Sequence, residues 1–307
     1  MGEVVNNIDD NMQNDIFNQF FNSYINKMQK QQNKKEVWGY KTDFTDYDTI
    51  TNGLHNSELT VIAARHSMGK TTFVLNLALN LAKQSIPVLY ISYDMSKEGI
   101  CERLISILSE IESDKIKKGS LLDEKSWNKI TDAFENLEKL LNNKYLNLIS
   151  SCTLYYKDLF DKIREFKNEH KNGVIIVDYF QLIKLYRPED TRIVELSSLA
   201  AAFKHLTMEI ELPVILISQV SKKCEDRQDK KPILSDLAEC DALAQHSDNL
   251  IFLYRNEYYN PEDIDAKNKA QFIVAKQKNG CRNEFELIYI PQIYKFKNPV
   301  KTQECYF

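Results

Sequence analysis

The sequence predicts an α/β fold in which a mainly parallel central sheet is covered by helices on both faces. Short apolar runs alternate along the chain with longer segments of helical periodicity, a pattern typical of strands joined by crossover helices. Several runs, such as Val174–Val177, are apolar at every position, which indicates strands buried on both faces. Near the C-terminal end the runs follow one another closely around the turn signal Asn279-Gly280, which predicts a closing antiparallel group.

Each element is placed by its own pattern of apolar residues. The predicted strands are Leu59–Ala64, Val88–Ser92, Tyr145–Ile149, Val174–Val177, Val214–Ser218, Asn249–Tyr254, Phe272–Ala275, Phe285–Ile290 and Ile293–Phe296. The predicted helices of the main domain are Thr71–Lys83, Lys97–Ile111, Glu124–Leu141, Lys157–His170 and Arg192–Ile210. Because a helix follows most of the early strands, we expect those strands to run parallel to one another.

The chain is predicted to divide into residues 1–38, a leading segment, and residues 39–307, the main domain. The first dozen residues are rich in Asn and Asp and are predicted to be disordered. Ile16–Met28 has helical apolar spacing, and the polar stretch Gln29–Lys35 reads as a tether. A single amphipathic helix must bury its apolar face, either on its own domain or on a neighbouring subunit.

The bulk properties exclude several classes of protein. The formal net charge of −4 excludes a uniformly basic nucleic-acid coat, so any nucleic-acid contact must come from a local patch. No apolar run approaches the roughly 20 residues needed to span a bilayer, which predicts no membrane partner. The six cysteines form no CxxC pair, which favours reduced thiols over a zinc or disulfide framework. We therefore expect a cytoplasmic protein.

A phosphate-binding loop follows the first predicted strand. The sequence matches G-x-x-x-x-G-K-[ST], except that alanine stands at the first glycine position. The glycine before the lysine lets the backbone approach phosphates, and the helix that follows presents free N–H groups. The sequence therefore predicts ATP as ligand. The candidate nucleotide-binding residues are Ala64, Arg65, His66, Ser67, Met68, Gly69, Lys70, Thr71 and Thr72.

Two residues are candidates for holding Mg²⁺ beside the nucleotide. The Thr71 hydroxyl follows the loop lysine, and Asp178 closes the apolar strand Val174–Val177. Oxygen ligands at the carboxyl ends of parallel strands suit this ion. The alternative for Asp178 is an ordinary strand that ends in an aspartate.

Two further polar residues follow predicted strands. Asp94 is a candidate for activating water, with a helix N-terminal carboxylate as the alternative. Gln219 is a candidate for sensing the γ-phosphate, with a polar strand end as the alternative.

The next loop, Ser221–Asp236, has few apolar residues and no aromatic ones. We interpret it as a flexible contact for the backbone of single-stranded nucleic acid, with a solvated surface loop as the alternative. Its candidate DNA-binding residues are Lys222, Lys223, Arg227, Lys230 and Lys231.

The chain resembles the ATPase domain of bacterial replicative DNA helicases, the DnaB type of the RecA-like superfamily, from about Gly39 to Phe296. The blocks that carry the resemblance are Ala63–Thr72, Ile176–Leu182, Pro213–Gln219, Ser235–Leu237, Tyr254–Tyr259 and Lys276–Gly280. The alanine at the first glycine position is itself typical of that family. The resemblance implies a RecA-like P-loop core preceded by a linker helix that packs on the adjacent protomer.

The resemblance also implies partners and further site residues. It implies a homohexameric ring that moves along single-stranded DNA by hydrolysing ATP between subunits, together with a helicase loader or other host replication proteins. Lys276 and Lys278 are implied to reach the neighbour's site as catalytic cations, and Arg255 to contact the nucleotide. The helical domain that binds primase in full-length members is missing from this sequence.

Three positions depart from the family pattern. This chain has Asp94 where the family has a glutamate, Lys278 where it has an arginine finger, and Ala238 where it has an arginine. The leading hypothesis is a ring-forming helicase motor stimulated by DNA, whose 5′-to-3′ polarity is implied by the resemblance alone. Because the departures fall on hydrolysis and coupling, a second hypothesis is a weakly hydrolysing assembly protein that co-assembles with, loads or inhibits a replicative helicase. A third is a recombinase-like or clock-type relative of the same fold, which the blocks around Asp178 and Lys276 fit less well.

Overall fold

The computed structural model describes residues 18, 21–22, 25, 37–119, 122–186, 191–237 and 241–300. The chain forms two compact units, Met1–Trp38 and Gly39–Phe307. In the first unit, the described residues of the predicted helix are helical. The rest of that helix, the predicted disordered start and most of the tether lie outside the described residues, as does Ala238. All that follows concerns the second unit.

All nine predicted strands are present. They are β1 (Leu59–Ala64), β2 (Val88–Ser92), β3 (Leu146–Ser150), β4 (Val174–Asp178), β5 (Val214–Gln219), β6 (Asn249–Tyr254), β7 (Lys269–Gln277), β8 (Asn283–Ile290) and β9 (Lys295–Lys297). The α-helices among the described residues of this unit are α1 (Thr45–Thr51), α2 (Lys70–Lys83), α3 (Lys97–Ser109), α4 (Ser113–Lys118), α5 (Glu124–Asn142), α6 (Tyr156–Glu169), α7 (Arg192–Ile210), α8 (Asp241–His246) and α9 (Asn256–Tyr259).

The strands form one sheet in the order β3-β2-β4-β5-β1-β6-β7-β8-β9. The first six strands in that order are parallel, and β7, β8 and β9 extend the sheet in antiparallel fashion, as predicted. The strand before the phosphate loop therefore lies inside the sheet, between β5 and β6. The carboxyl ends of β1, β2, β4 and β5 lie side by side. We call this side of the sheet, which is formed by strand ends and not by an outer strand, the loop edge.

The two faces of the sheet bury separate hydrophobic cores. Alternate residues of one strand belong to different cores, so that Ile62 packs with α2 and α3 while Val61 packs with α6 and α7. This explains why the strands are apolar at every position. On the α2 side, Phe272 of β7 stacks on Phe285 of β8 and contacts Phe73 of α2, which ties the antiparallel extension to the helix that follows the phosphate loop.

The structure differs from the sequence prediction mainly in short elements. Helices α1, α4, α8 and α9 were not predicted, because four to seven residues are too few to show helical periodicity. Strand β7 is longer than predicted at both ends, because its polar residues alternate with buried ones and leave no continuous apolar run. Among the described residues, no helix is long and apolar enough to cross a membrane.

Candidate nucleotide-binding site

The phosphate loop joins the end of β1 to the start of α2. Within it, Ser67 and Gly69 adopt positive φ angles of 61° and 100°. A residue with a Cβ atom is strained at φ near 100°, so the glycine is required by the backbone conformation rather than by space. Helix α2 begins at Lys70, and the free N–H groups of its first turn point into the loop.

A cleft of about 290 Å³ opens beside this loop at the loop edge. It is lined by predicted site residues from the phosphate loop, the start of α2, and the ends of β2, β4 and β5, and by four residues that were not predicted. The predicted ones are His66, Ser67, Gly69, Lys70, Thr71, Thr72, Asp94, Asp178 and Gln219, and the others are Arg103, Tyr179, Tyr289 and Tyr294. Tyr289 and Tyr294 lie on the antiparallel extension and Arg103 lies on α3, so no motif in the sequence marked them.

The Lys70 ammonium occupies the mouth of the phosphate loop. Its Nζ atom donates hydrogen bonds to the carbonyl oxygens of Ala64 and Arg65, both at 2.9 Å. Burial lowers the pKa of Lys70 to about 8, an effect that the nearby Asp178 carboxylate opposes and the Arg65 guanidinium adds to. The lysine is therefore a poorly solvated cation whose present partners are neutral carbonyls, and an anion would satisfy it better.

Asp178 lies at the end of β4 and is almost fully buried. Burial raises the pKa of its carboxyl group, while hydrogen bonds from Thr71 and Tyr90 and the charge of Lys70 act to lower it. The Tyr90 hydroxyl donates at 2.9 Å to one carboxylate oxygen. Thr71 and Asp178 are thus an adjacent pair of oxygen donors of the kind that Mg²⁺ uses beside substrate phosphates. No cluster of three or more His, Cys, Asp or Glu residues suited to a metal occurs among the described residues.

Asp94 and Gln219 enter the same cleft from different strands. Asp94 is exposed at the lip beyond β2. The residue that caps α3 is Ser96, whose Oγ accepts a hydrogen bond from the Gly99 N–H at 3.1 Å, so the alternative capping role of Asp94 is not observed. The Gln219 Nε2 atom lies 2.7 Å from the His66 Nε2 atom. The sensor candidate thus contacts the phosphate loop directly.

Three predicted nucleotide-binding residues face away from the cleft. Ala64 and Met68 are buried in the hydrophobic core, so only their backbone atoms are available to a ligand. The Arg65 guanidinium binds Glu225 at 2.8 Å and the Val220 carbonyl at 3.0 Å, outside the cleft. These residues were predicted from the phosphate-loop motif. The motif fixes the path of the backbone but not the direction of the side chains.

Arg255 braces the phosphate loop from the side. Its guanidinium lies 4.5 Å above the Tyr289 ring and makes a 3.0 Å ion pair with Glu257. One of its terminal nitrogens also lies 3.4 Å from the Ser67 carbonyl oxygen. Nucleotide contact by Arg255 stays a prediction, and the contact with Ser67 places its guanidinium against the phosphate loop itself.

The basic loop Ser221–Asp236 is more structured than predicted. It contains two short 3₁₀ helices and the buried Cys224, which supply the anchors that its composition did not suggest. Its five predicted DNA-binding cations are not equivalent. Arg227 binds Asp236 at 3.0 Å, the Lys230 ammonium lies 5.0 Å from the Tyr259 ring centroid, and the Lys231 ammonium lies 3.9 Å from Glu284. Lys222 and Lys223 are both exposed.

Lys276 and Lys278 lie at the sheet edge opposite the loop edge. Strand β7 runs antiparallel to β6 and pairs Gln277 with Asn249, the first residue of β6, so about 15–20 Å of strand separates these lysines from the cleft. Lys276 Nζ donates to the carbonyls of Ala244, Gln245 and Ser247 at the end of α8, at 2.5–3.0 Å. The Lys278 side chain is 66% exposed and lies 3.6 Å from Asp248. Neither lysine can reach the cleft of its own chain.

The two lysines should therefore differ in their effect on stability. We expect Lys276→Met to lower the free energy of unfolding by roughly 1.5–3 kcal/mol, because three carbonyls lose a charged hydrogen-bond donor. Lys278→Met, the matched control, should change it by no more than about 0.5 kcal/mol, because its ammonium is two-thirds exposed and Asp248 keeps its ion pair with Lys204. Urea unfolding followed by circular dichroism measures both. Equal effects would show that Lys276 has no special structural role.

Comparison with known proteins shows the family of this chain. Residues 39–298 match the family model of the DnaB-like helicase C-terminal domain. The replicative DNA helicase DnaB of Haemophilus influenzae is 37% identical over 279 residues, which are 90% of this chain and 59% of that protein. The Geobacillus stearothermophilus DnaB is 37% identical over 265 residues, 86% of this chain and 57% of that protein. This chain thus spans less than two thirds of the length of these relatives.

Solved structures agree with the sequence comparison. A solved ATPase domain superposes with a TM-score of 0.85 at 30% identity, covering 92% of this chain and 98% of that one. A DnaB-like replicative helicase, described together with its interactions with primase, gives a TM-score of 0.82 at 31% identity over 87% of this chain and 64% of that one. The chain belongs to the DnaB-like helicase C-terminal domain family.

Proposed function

We propose that this chain is an ATP-hydrolysing motor domain that moves along single-stranded DNA as part of a ring of identical subunits in the cell interior. The observation that carries the proposal is the meeting of Lys70, Thr71, Asp178 and Gln219 in one cleft, with the basic loop following directly after Gln219. The family to which the chain belongs supports the same activity. A homohexamer, a helicase loader and other replication proteins as partners are part of this proposal.

In this proposal, the phosphate loop binds the β- and γ-phosphates of ATP. Lys70 exchanges its two loop carbonyls for phosphate oxygens, and the first N–H groups of α2 donate to the same phosphates. The Thr71 hydroxyl and the Asp178 carboxylate would hold Mg²⁺, which would neutralise phosphate charge when bound. Tyr90 keeps Asp178 in place through its hydrogen bond.

Asp94 and Gln219 act on the γ-phosphate side. Asp94 orients or deprotonates the attacking water from the exposed lip of the cleft. Because an aspartate is one methylene shorter than the glutamate that the family resemblance implies, we expect slow hydrolysis rather than none. Gln219 detects the γ-phosphate and relays its loss to the basic loop, of which Lys222 and Lys223 are the most accessible cations for DNA phosphates.

The position of Lys278 supports a role in the neighbouring subunit's cleft. It is exposed at the edge of the sheet opposite its own cleft, which is where a head-to-tail ring places the next subunit's nucleotide. There it stabilises charge on the transferring phosphoryl group, although without the planar fork of an arginine. Lys276, bound by three carbonyls, supports the strand that carries Lys278.

The second candidate function is a weakly hydrolysing assembly protein that joins, loads or inhibits another replicative helicase. Two observations favour it. The side chain of Asp94, at the water-activating position, is shorter than a glutamate, and Lys278 forms an ion pair with Asp248. Such a protein binds ATP but does not couple its hydrolysis to DNA. Steady-state kinetics separates the two functions.

We expect single-stranded DNA to raise the steady-state rate of ATP hydrolysis several-fold in the wild-type chain. Lys70→Ala, which removes the phosphate-binding ammonium, serves as the blank. The measurement is phosphate release with and without an oligonucleotide. ATP binding without DNA-stimulated turnover would instead favour the assembly protein, and the next experiment would test co-assembly with a replicative helicase.

Nucleotide binding should weaken at alkaline pH. In the free chain the pKa of Lys70 is about 8, and bound phosphates raise it, so below this value the lysine is charged in both states and contributes no pH dependence. Above it, binding requires proton uptake, and the affinity falls by up to about tenfold for each pH unit. Isothermal titration calorimetry between neutral pH and pH about 10 measures this slope.

The control for the pH experiment is Lys70→Arg, which stays charged throughout and should show a flat profile in this window. A wild-type profile as flat as that of the arginine variant would mean that the Lys70 ammonium is fully charged before the nucleotide arrives.

Mixed rings should reveal the trans role of Lys278. Lys70→Ala removes a subunit's own nucleotide site, and Lys278→Ala removes what it contributes to its neighbour. Each variant alone should be inactive, whereas a mixture should recover part of the ATPase activity, because some interfaces join an intact cleft to an intact Lys278. No recovery in a mixture shown to co-assemble, by pull-down of a tagged subunit, would contradict the assignment.

A further inference from the structure

The phosphate loop and the basic loop are joined by a partly buried ion pair. Arg65 Nε lies 2.8 Å from Glu225 Oε1, and the two side chains are only 15% and 26% exposed. The same guanidinium binds the Val220 carbonyl at 3.0 Å, at the point where the chain leaves β5. The ion pair therefore spans the two loops that the proposed function assigns to nucleotide and to DNA.

Glu225 is held on both sides. In addition to Arg65, the Tyr259 hydroxyl donates to the same carboxylate oxygen at 3.3 Å. These contacts keep the pKa of Glu225 below its usual value, chiefly through the hydrogen bond from Arg65. The carboxylate lies within the 3₁₀ helix Lys222–Asp226, so a movement of Glu225 moves Lys222 and Lys223 with it.

Arg65 is also linked to the ligand-binding lysine. Its carbonyl oxygen accepts a hydrogen bond from Lys70 Nζ at 2.9 Å. A phosphate that captures Lys70 breaks this bond and frees the backbone of Arg65, whose guanidinium remains attached to Glu225. A connected path thus runs from Lys70 to the Arg65 carbonyl, from the Arg65 guanidinium to Glu225, and through the 3₁₀ helix to the two exposed lysines.

We infer that the Arg65–Glu225 ion pair is a positioning device that couples nucleotide occupancy of the phosphate loop to the position of Lys222 and Lys223, and hence to affinity for single-stranded DNA. This inference rests on the proposed function and adds a path that does not pass through Gln219. The path through Gln219 reports the γ-phosphate through a side chain in the cleft, whereas the ion pair reports the state of Lys70. Coupling between two binding sites is reciprocal, so each ligand changes the affinity for the other by the same factor.

The test measures the coupling factor, defined as the ratio of oligothymidylate dissociation constants without and with a non-hydrolysable ATP analogue. The factor is expected to lie at roughly 5- to 150-fold for the wild-type chain and to fall by about threefold or more in Glu225→Gln, which leaves only the part that passes through Gln219. DNA affinity without nucleotide and basal ATP turnover should stay close to wild type, because Glu225 touches neither ligand. The charge-swapped pair Arg65→Glu with Glu225→Arg should recover part of the factor.

Glu284→Gln is the matched control. Glu284 is an exposed carboxylate that pairs with Lys231 of the same loop at 3.9 Å and makes no contact with the phosphate loop. Its coupling factor should equal that of the wild-type chain. If Glu225→Gln also retains the wild-type factor, the inference is overturned while the proposed function stands.

A readout that needs no DNA separates the two failures. The exposed Lys222 and Lys223 are trypsin sites, and we expect the ATP analogue to change their cleavage rate much more in the wild-type chain than in Glu225→Gln. A wild-type chain that binds no DNA yet shows this difference would refute the proposed function and leave the ion pair as a link between nucleotide and loop. Cleavage that responds to the analogue equally in both chains would overturn the inference. Thermal melting verifies that Glu225→Gln is folded.

Discussion

The parallel pairing of β1 with β5 is the constraint on which the site depends. It sets Ala64, where the phosphate loop starts, opposite Gln219, where the basic loop starts. Because neighbouring parallel strands end at the same edge, two loops far apart in sequence leave the sheet side by side. Every contact between them, from His66 with Gln219 to Arg65 with Glu225, follows from this register. A shift of one residue would move each contact to the other face of the sheet.

The same register places the metal-binding candidates. Strand β2 pairs Ser92 with Asp178 of β4, so Asp94 and Asp178 project from neighbouring strands into one cleft. Tyr90, two residues before Ser92, reaches Asp178 on the same side because side chains alternate along a strand. The cleft is thus assembled by strand ends, while the buried apolar positions behind them fix where those ends lie.

Sequence reasoning placed the parallel core well because burial on both faces leaves continuous apolar runs, and it placed the cleft residues that end those runs. It failed where side-chain direction matters. Arg65 and Met68 belong to the phosphate-loop motif, but one binds Glu225 and the other enters the core, and the motif fixes only the backbone. The sequence predicted the same catalytic role for Lys276 and Lys278. The structure shows that Lys276 instead donates to three carbonyls at the end of α8. Arg103 and Tyr294 reach the cleft from distant elements through tertiary packing, which no local pattern reports.

The loop edge and the opposite edge of the sheet hold different candidate residues. The loop edge holds the nucleotide and DNA candidates, and the opposite edge presents Lys278 beside the buried Asp248, which also binds Lys204 at 2.6 Å and the Leu59 N–H at 2.8 Å. Leu59 is the first residue of β1, the strand whose other end is the phosphate loop. Asp248 therefore links the base of that strand to the cation proposed to act on a neighbour. A cation paired at 3.6 Å and two-thirds exposed can exchange this carboxylate for a phosphate at little cost, because the buried Asp248 keeps its ion pair with Lys204. The pairing thus keeps Lys278 in place without preventing it from binding a phosphate of the neighbouring subunit. A lysine can therefore act between subunits at the position where the family resemblance implies an arginine.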